Sequence, residues 1–162
     1  MKEQAGHGAQ ERAVVRQGER ELAITWSFNA PPSAVYAAWS QSELFQRWWM
    51  PKSMVGISLV ACDLDVRTGG KYRLEFGVGG SETMAFFGKY LDVVPNERIV
   101  WTNDEGEEGA ITTVSFARVE GATRLTFHEL YPTADALQEA LDGSAAGLPE
   151  QLQQLEALLS AA

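Results

Sequence analysis

Cysteine and histidine are nearly missing from this chain of 162 residues: Cys62 stands alone, and His7 and His128 are the two histidines. One cysteine excludes an internal disulfide and suits a reducing compartment. His7, His128 and Cys62 show no zinc-site spacing, so no metal is expected, and nothing in the chain implies a cofactor. Basic residues are also scarce. Thirteen Lys and Arg against 22 Asp and Glu leave a net charge of −9, which argues against nucleic-acid or anionic-membrane binding, since both depend on a basic field. No apolar run approaches the ~20 residues that span a bilayer, and residues 1–18 lack the apolar middle of a signal peptide. No Gly-Lys-Ser/Thr occurs, so Gly69, Gly70, Gly79 and Gly80 read as hairpin turns rather than a phosphate loop. These absences lead to the expectation of an acidic, cytoplasmic globular domain.

What is abundant is apolar surface. Hydrophobic residues make up 45% of the chain, enough for a core that needs no staple at this length. Residues 1–18 are polar and glycine-dotted and are expected to form a flexible arm, its end pinned by Val14 and Val15. Residues 19–162 are expected to form one domain. Leu22, Ile24, Trp26 and Phe28 alternate with smaller or polar residues, which predicts a half-buried strand over Glu21–Asn29. Pro31 and Pro32 end it and suit a first helical turn. Two short helices are expected next, one carrying Val35, Tyr36, Ala38 and Trp39, the other Leu44, Phe45, Trp48 and Trp49. Period two then predicts strands Ile57–Val66, Gly70–Val78, Glu82–Val94, Arg98–Asn103, Ala110–Val119 and Thr123–Tyr131, joined by Gly, Asn or Pro turns into antiparallel hairpins. Leu148, Leu152, Leu155 and Leu159 form a helical stripe for the C-terminus, preceded by a stretch with Thr133 as its N-cap. Gly143, Gly147 and Pro149 predict a break near residues 143–148.

Four pieces of sequence resemble one family. Ala30-Pro31-Pro32 with Val35, Tyr36 and Trp39, then Phe45-Gln46-Arg47-Trp48-Trp49, are similar to its entry into the first helices. Asp65-Val66-Arg67-Thr68-Gly69-Gly70-Lys71-Tyr72 resembles its D-x-R-x-G-G-x-[WY] hairpin, and Gly88-Lys89-Tyr90 with Pro95-Asn96-Glu97-Arg98-Ile99-Val100-Trp101 its following strand pair. The family is the START-related (SRPBCC, birch-pollen-allergen-like) superfamily, in the branch described as activator of heat-shock-protein-90 ATPase homologue-like, C-terminal domain. The resemblance covers about residues 19–161. It implies an α+β helix-grip (START-like) fold: a curved antiparallel sheet of about seven strands around a long C-terminal helix, with two short helices between strands 1 and 2. Leu148 and Pro149 depart from the pattern, standing where relatives often carry a tryptophan in an unbroken helix. Members bind or transform different molecules on one scaffold, so the resemblance does not dictate an activity.

Independently of the name, a strongly curved sheet around one helix does not bring its walls together everywhere, and concave, mostly apolar spaces commonly hold ligands. Trp39, Trp48, Tyr72, Phe87, Trp101, Phe116, Leu148 and Leu152 are the candidate ligand wall, with His128 as a polar member. Phe86 and Phe127 are among the aromatics that either line a cavity or fill the core; for Trp26, Phe28 and Trp39 core filling is favoured. His128 either faces the cavity as an acid or base or is a hydrogen-bonded structural residue, the blander alternative being favoured. Tyr131, Glu75 and Arg73 are further candidates for proton transfer or an electrostatic clamp. Asp63 and Asp65 are expected to face solvent, with Asp65 anchoring a turn to Arg67. The acidic run 103–108 reads as a solvated loop.

Three functions follow, in order of preference. The first is binding of a small hydrophobic molecule, lipid-like, aromatic or polyketide-like, between the sheet and the C-terminal helix. The second is a polyketide-cyclase-like or hydrolase/lyase enzyme on the same scaffold, which requires two titratable groups within hydrogen-bond reach in the cavity. The third, implied by the branch name, is a co-chaperone that stimulates a chaperone ATPase in a stress response. It ranks third because such activators carry a further N-terminal domain, whereas only about 18 residues precede the fold here. An exposed edge strand or a Trp48-Trp49 patch would support a homodimer.

Overall fold

The computed structural model describes residues 12–104 and 109–161. Strands β1 (Val15–Gln17) and β2 (Glu21–Phe28) precede helices α1 (Pro32–Ser40) and α2 (Ser42–Phe45). Six strands follow: β3 (Ser58–Leu64), β4 (Lys71–Gly77), β5 (Thr83–Val94), β6 (Arg98–Thr102), β7 (Ile111–Val119) and β8 (Ala122–Leu130). The chain closes with α3 (Ala134–Asp142), a 3-10 turn (Ser144–Gly147) and α4 (Leu148–Ala161). All eight strands form one sheet in the order β1-β2-β8-β7-β6-β5-β4-β3, and every neighbouring pair is antiparallel. Together these elements make the α+β helix-grip architecture.

The strand pattern behaves as its alternation requires. Leu22, Ile24, Trp26 and Phe28 of β2 are buried, as are Leu125 and Phe127 of β8 and Val114 and Phe116 of β7. The sheet bends at two irregularities, between Leu59 and Ala61 and between Tyr90 and Asp92, because a bulge adds a residue to one strand and increases local twist. β5 also changes partner along its length: residues 83–89 pair with β4, and residues 90–94 pair with β6. Its first half therefore lies beyond the end of β6, which matters for the site below.

Local chemistry sets the helix ends. Pro32 opens α1 after an extended Pro31, where a fixed φ costs the helix nothing. The Thr133 hydroxyl accepts from the Ala136 N–H at 3.0 Å, an N-cap worth about 1 kcal/mol. The expected break falls at Gly143 and the 3-10 turn, and Pro149 becomes the second residue of α4. There its missing N–H is one of the unpaired first-turn donors, so no helical bond is lost. Leu148, Leu152 and Leu155 of α4 are buried, and α4 packs on β2 and α1.

Residues 1–11, with His7, lie outside the described residues, and residues 12–17, at the end of the expected arm, are held to the domain. Val15–Gln17 adds an eighth strand, pairing Val15 with Ala23 and Gln17 with Glu21. Arg12 sits 4.5 Å from the Trp26 ring centre and 3.0 Å from the Glu156 carboxylate, which also accepts from the Trp26 indole N–H at 2.9 Å. A cation over an aromatic face beside a carboxylate holds the segment down, and composition alone does not show it.

Candidate functional site

α1, α2 and the turn after them bring four large rings together over the sheet. Trp39 and Trp48 pack edge to face with centres 4.7 Å apart, and Phe45 stacks on Trp49 at 4.8 Å. Trp39 also meets two sheet residues, Trp101 at 5.9 Å and Phe127 at 6.2 Å. α4 holds this cover through its glutamines. The Gln151 side-chain amide donates to the Trp49 carbonyl at 2.7 Å, and that of Gln154 donates to the carbonyls of Trp48 and Met50 at 2.7 and 2.9 Å. A loop that would otherwise leave carbonyls unpaired is thereby tied to a helix.

Rigid rings meeting a bent sheet leave a gap. A cavity of about 80 Å³ lies between Trp39, Phe45 and Trp49 on one side and Leu64, Tyr72, Leu74, Phe86, Tyr90, Ile99, Trp101, Asn103, Phe127 and Glu129 on the other. That is well above the ~10–15 Å³ a cavity needs to admit a single water. Phe86, on the half of β5 beyond β6, is 37% exposed, so the cavity reaches the surface there.

The wall is not wholly apolar, and the strand register explains its polar row. Glu129 of β8 lies opposite Thr112 of β7, Thr112 opposite Trp101 of β6, and Trp101 opposite Tyr90 of β5. The Thr112 hydroxyl, fully buried, donates to Glu129 Oε2 at 2.8 Å and accepts from the Asn103 amide at 3.0 Å. The Tyr131 hydroxyl donates to Glu129 Oε1. The Tyr72 hydroxyl lies 2.7 Å from the Thr102 carbonyl and 3.3 Å from Asn103 Oδ1. Burial, and then the adjacent Glu129 carboxylate, push the Tyr131 hydroxyl well above the ordinary tyrosine range; burial does the same to Tyr90. Both phenols therefore stay protonated at neutral pH and remain donors. Gly88 is required beside this row, because a Cβ there would fall 2.0 Å from the Thr102 carbonyl oxygen and 2.8 Å from the Tyr72 ring.

The structure brings three of the expected wall residues into the cavity: Trp39, Tyr72 and Trp101. Trp39 is also core, so filling and lining are one role for it; its indole N–H is buried with no acceptor among the described residues. Others go elsewhere. Trp48 is 1% exposed and donates its indole N–H to the Ala38 carbonyl at 3.0 Å; it is a structural core residue, and its burial also removes the Trp48-Trp49 patch as an exposed dimer surface. Phe116 packs edge to face on Tyr36 at 5.7 Å. Leu148 and Leu152 are buried but do not line this cavity, which is closed by α1 and the α2 turn rather than by the C-terminal helix. The helix acts instead from behind, through Gln151 and Gln154.

Strand parity moves the remaining candidates to the outer face. Phe87 pairs with Arg73 and lies in a shallow outer groove with Arg73, Lys71, Lys89, Asp63 and Asp104. Arg73 and Glu75 bridge each other at 3.4 Å. His128 pairs with Ala23 and sits 2.7 Å from the Glu21 carboxylate, on the face opposite Phe127 and Glu129. Of the polar candidates, Tyr131 alone is coupled to the cavity wall, through Glu129. Asp65 does bridge Arg67 at 3.0 Å. Residues 105–108 of the acidic run lie outside the described residues. Among the described residues no group of three or more His, Cys, Asp or Glu could hold a metal ion, and no helix is long and apolar enough to cross a membrane.

Glu129, Asn103 and Thr112 are the site residues that sequence reasoning passed over. The signal for Glu129 is present: Thr123, Leu125 and Phe127 share one buried face of β8, and the next residue of that parity is an acid.

Similarity to known proteins agrees with this architecture. Solved structures from Nitrosomonas europaea (20% identity, TM-score 0.80, covering 91% of this chain and 98% of that one) and Rhodobacter sphaeroides (23% identity, TM-score 0.79, 92% and 97%) share its fold. One from Chromobacterium violaceum is 28% identical, with TM-score 0.71 over 86% of this chain and 96% of that chain. No curated protein sequence matches. Residues 29–160 match the family described as activator of Hsp90 ATPase homolog 1-like protein. That match takes in both short helices, the six strands after them and the C-terminal helical segment, so the chain belongs to the activator of Hsp90 ATPase homolog 1-like family.

Proposed function

We propose that this protein binds a small hydrophobic molecule in the cavity beneath Trp39 and Trp49. The observation that carries the reading is a ring-lined space that the packed core does not fill. Apolar space with a few fixed polar groups is the usual make-up of a small-molecule site, and the family's fold commonly binds hydrophobic ligands. The volume suits a compact head, a branched alkyl group or small ring, with the remainder of the ligand leaving past Phe86. The Glu129–Tyr131 pair supplies the two neighbouring titratable groups that an enzyme reading requires. Because the tyrosine holds its proton far above neutrality, the pair serves better as a fixed hydrogen-bonding feature than as a proton shuttle.

The test is a titration with cyclohexanol followed by tryptophan emission, since Trp39, Trp49 and Trp101 line the cavity. Saturable change and a raised melting temperature are expected, both lost in a Leu64→Trp variant that fills the space. A signal that never saturates, or that survives the filled variant, overturns the proposal.

A further inference from the structure

The apolar face that lines the cavity does not stop at its mouth. Leu74 pairs with Phe86, and Phe76 pairs with Met84. Residues directly opposite each other, or two apart on one strand, share a face of the sheet. Leu74 and Phe86 line the cavity, so Phe76 and Met84 carry the same strip outward along the β4–β5 hairpin. The Phe76 and Phe86 rings lie 5.4 Å apart. On β4 the strip is buried, Leu74 at 4% and Phe76 at 6% exposed, whereas on β5 Phe86 is 37% and Met84 46% exposed. β6 pairs with β5 only at residues 90–94, so it does not flank this stretch. Two half-exposed side chains fall far short of the ~800 Å² that each partner buries in a standard protein interface. They suit a single narrow occupant instead. From Phe86 to Met84 the track is about 7 Å long, two strand residues at ~3.4 Å each, and beyond Met84 come the exposed Ser81 and Glu82.

Resting on the binding reading above, we propose that this strip is a second subsite for the same ligand. It holds a flexible alkyl chain that leaves the cavity past Phe86 and lies along the hairpin as far as Met84. The ligand's polar end then meets water at the β4–β5 turn. This narrows the ligand to an elongated, lipid-like amphiphile with its compact apolar end inside and several methylenes outside. The strip begins within the cavity, so chain and cavity occupant belong to one molecule, and the methylenes cover apolar surface that water otherwise wets.

Alcohols that share one ring test this: cyclohexanol and its relatives with two, four and six methylenes between ring and hydroxyl. Each is titrated into the full-length protein and read by tryptophan emission. A fully buried methylene strengthens binding about fourfold; on an open strip, with one side of the chain still wet, roughly twofold per methylene is expected until the chain passes Met84. Met84→Thr should weaken the longer alcohols roughly threefold or more and leave cyclohexanol binding unchanged. Val119→Thr, at a residue 45% exposed at the end of β7, should alter neither. The Met84 methyl NMR signal, which needs no substitution, should shift with the longer alcohols and stay in place with cyclohexanol. No gain with chain length, a gain untouched by Met84→Thr, or a Met84 signal that does not move overturns the inference, while saturable cyclohexanol binding keeps the binding reading. Failure of the whole series to bind overturns both. Self-association of the free protein that Met84→Thr abolishes would assign the strip to a second copy of the chain and overturn the inference.

Discussion

The two halves of the sheet are closed in different ways. Over β2 the cover is the long helix α4, with α1 packed on β7 and β8, and Leu137, Leu152 and Leu155 are at most 1% exposed. Over β4, β5 and β6 the cover is a set of indole and phenyl rings from α1 and the α2 turn, and a cavity remains. Branched aliphatic side chains interdigitate to interior density. Flat rings crossing at steep angles, 71° between Trp39 and Trp49, leave wedges that nothing small enough fills. The lesson is that a curved sheet is sealed where a helix runs along it and left open where only a short turn crosses it.

The sharpest way to break that contrast is to truncate one leucine on each side. Leu155→Ala, in the sealed half, should cost about 2–5 kcal/mol, the range for a core cavity. Leu64→Ala, in the wall of the existing cavity and only half-buried, should cost about 1–2 kcal/mol because it gives up less buried surface. Chemical denaturation measures both, and equal losses would remove the distinction.

The paired indoles sharpen the same point. Trp48 donates to the Ala38 carbonyl, whereas Trp39 has no acceptor among the described residues. Phenylalanine at position 48 deletes a satisfied bond; at position 39 it deletes an uncompensated buried donor. Trp48→Phe should therefore be more destabilising than Trp39→Phe, by about 1–3 kcal/mol, and the reverse order would mean that Trp39 finds a partner in solution.

Alkaline pH probes the polar row. The folded-state values of Tyr90 and Tyr131 lie above the unfolded value near 10. Above pH 10 the unfolded chain releases protons that the native state keeps, so stability is intact below that pH and falls as pH rises beyond it. Each group contributes a slope of up to about 1.4 kcal/mol per pH unit, and Tyr131→Phe should remove one such contribution. An unchanged slope would show the Tyr131 hydroxyl to be solvated.

The smallest effect is expected on the outer face. The His128–Glu21 pair is 30% and 45% exposed, so His128→Ala should change stability by no more than about 1 kcal/mol and leave ligand titrations untouched. Altered binding in that variant would move the site to the other side of the sheet.

Much of the architecture was legible before the coordinates. Alternation marked β2 and the strands from Ser58 to Leu130, the Asp65–Gly70 hairpin carried its turn chemistry on its face, and Gly143, Gly147 and Pro149 marked the split in the C-terminal helix. Side-chain parity was harder. The register shift at Tyr90 and the change of partners along β5 decide that Phe86 faces in and Phe87 out, and neither is visible in a list of apolar residues. His128 drew attention as a rare titratable type, while its neighbour Glu129, a common one, occupies the inward position. Whether an aromatic fills or lines depends on which element covers it, and that is a property of the assembled layers. For that reason Trp48 and Leu152 turned out to be core and Trp39 to be both.

The most direct test of the central claim is a crystal of the full chain pressurised with xenon, which enters dry apolar cavities without needing a specific chemical group. The account predicts xenon density in the cavity lined by Trp39, Trp49, Leu64 and Phe86, absent in Leu64→Trp crystals. Continuous side-chain density with no xenon at that position would contradict it.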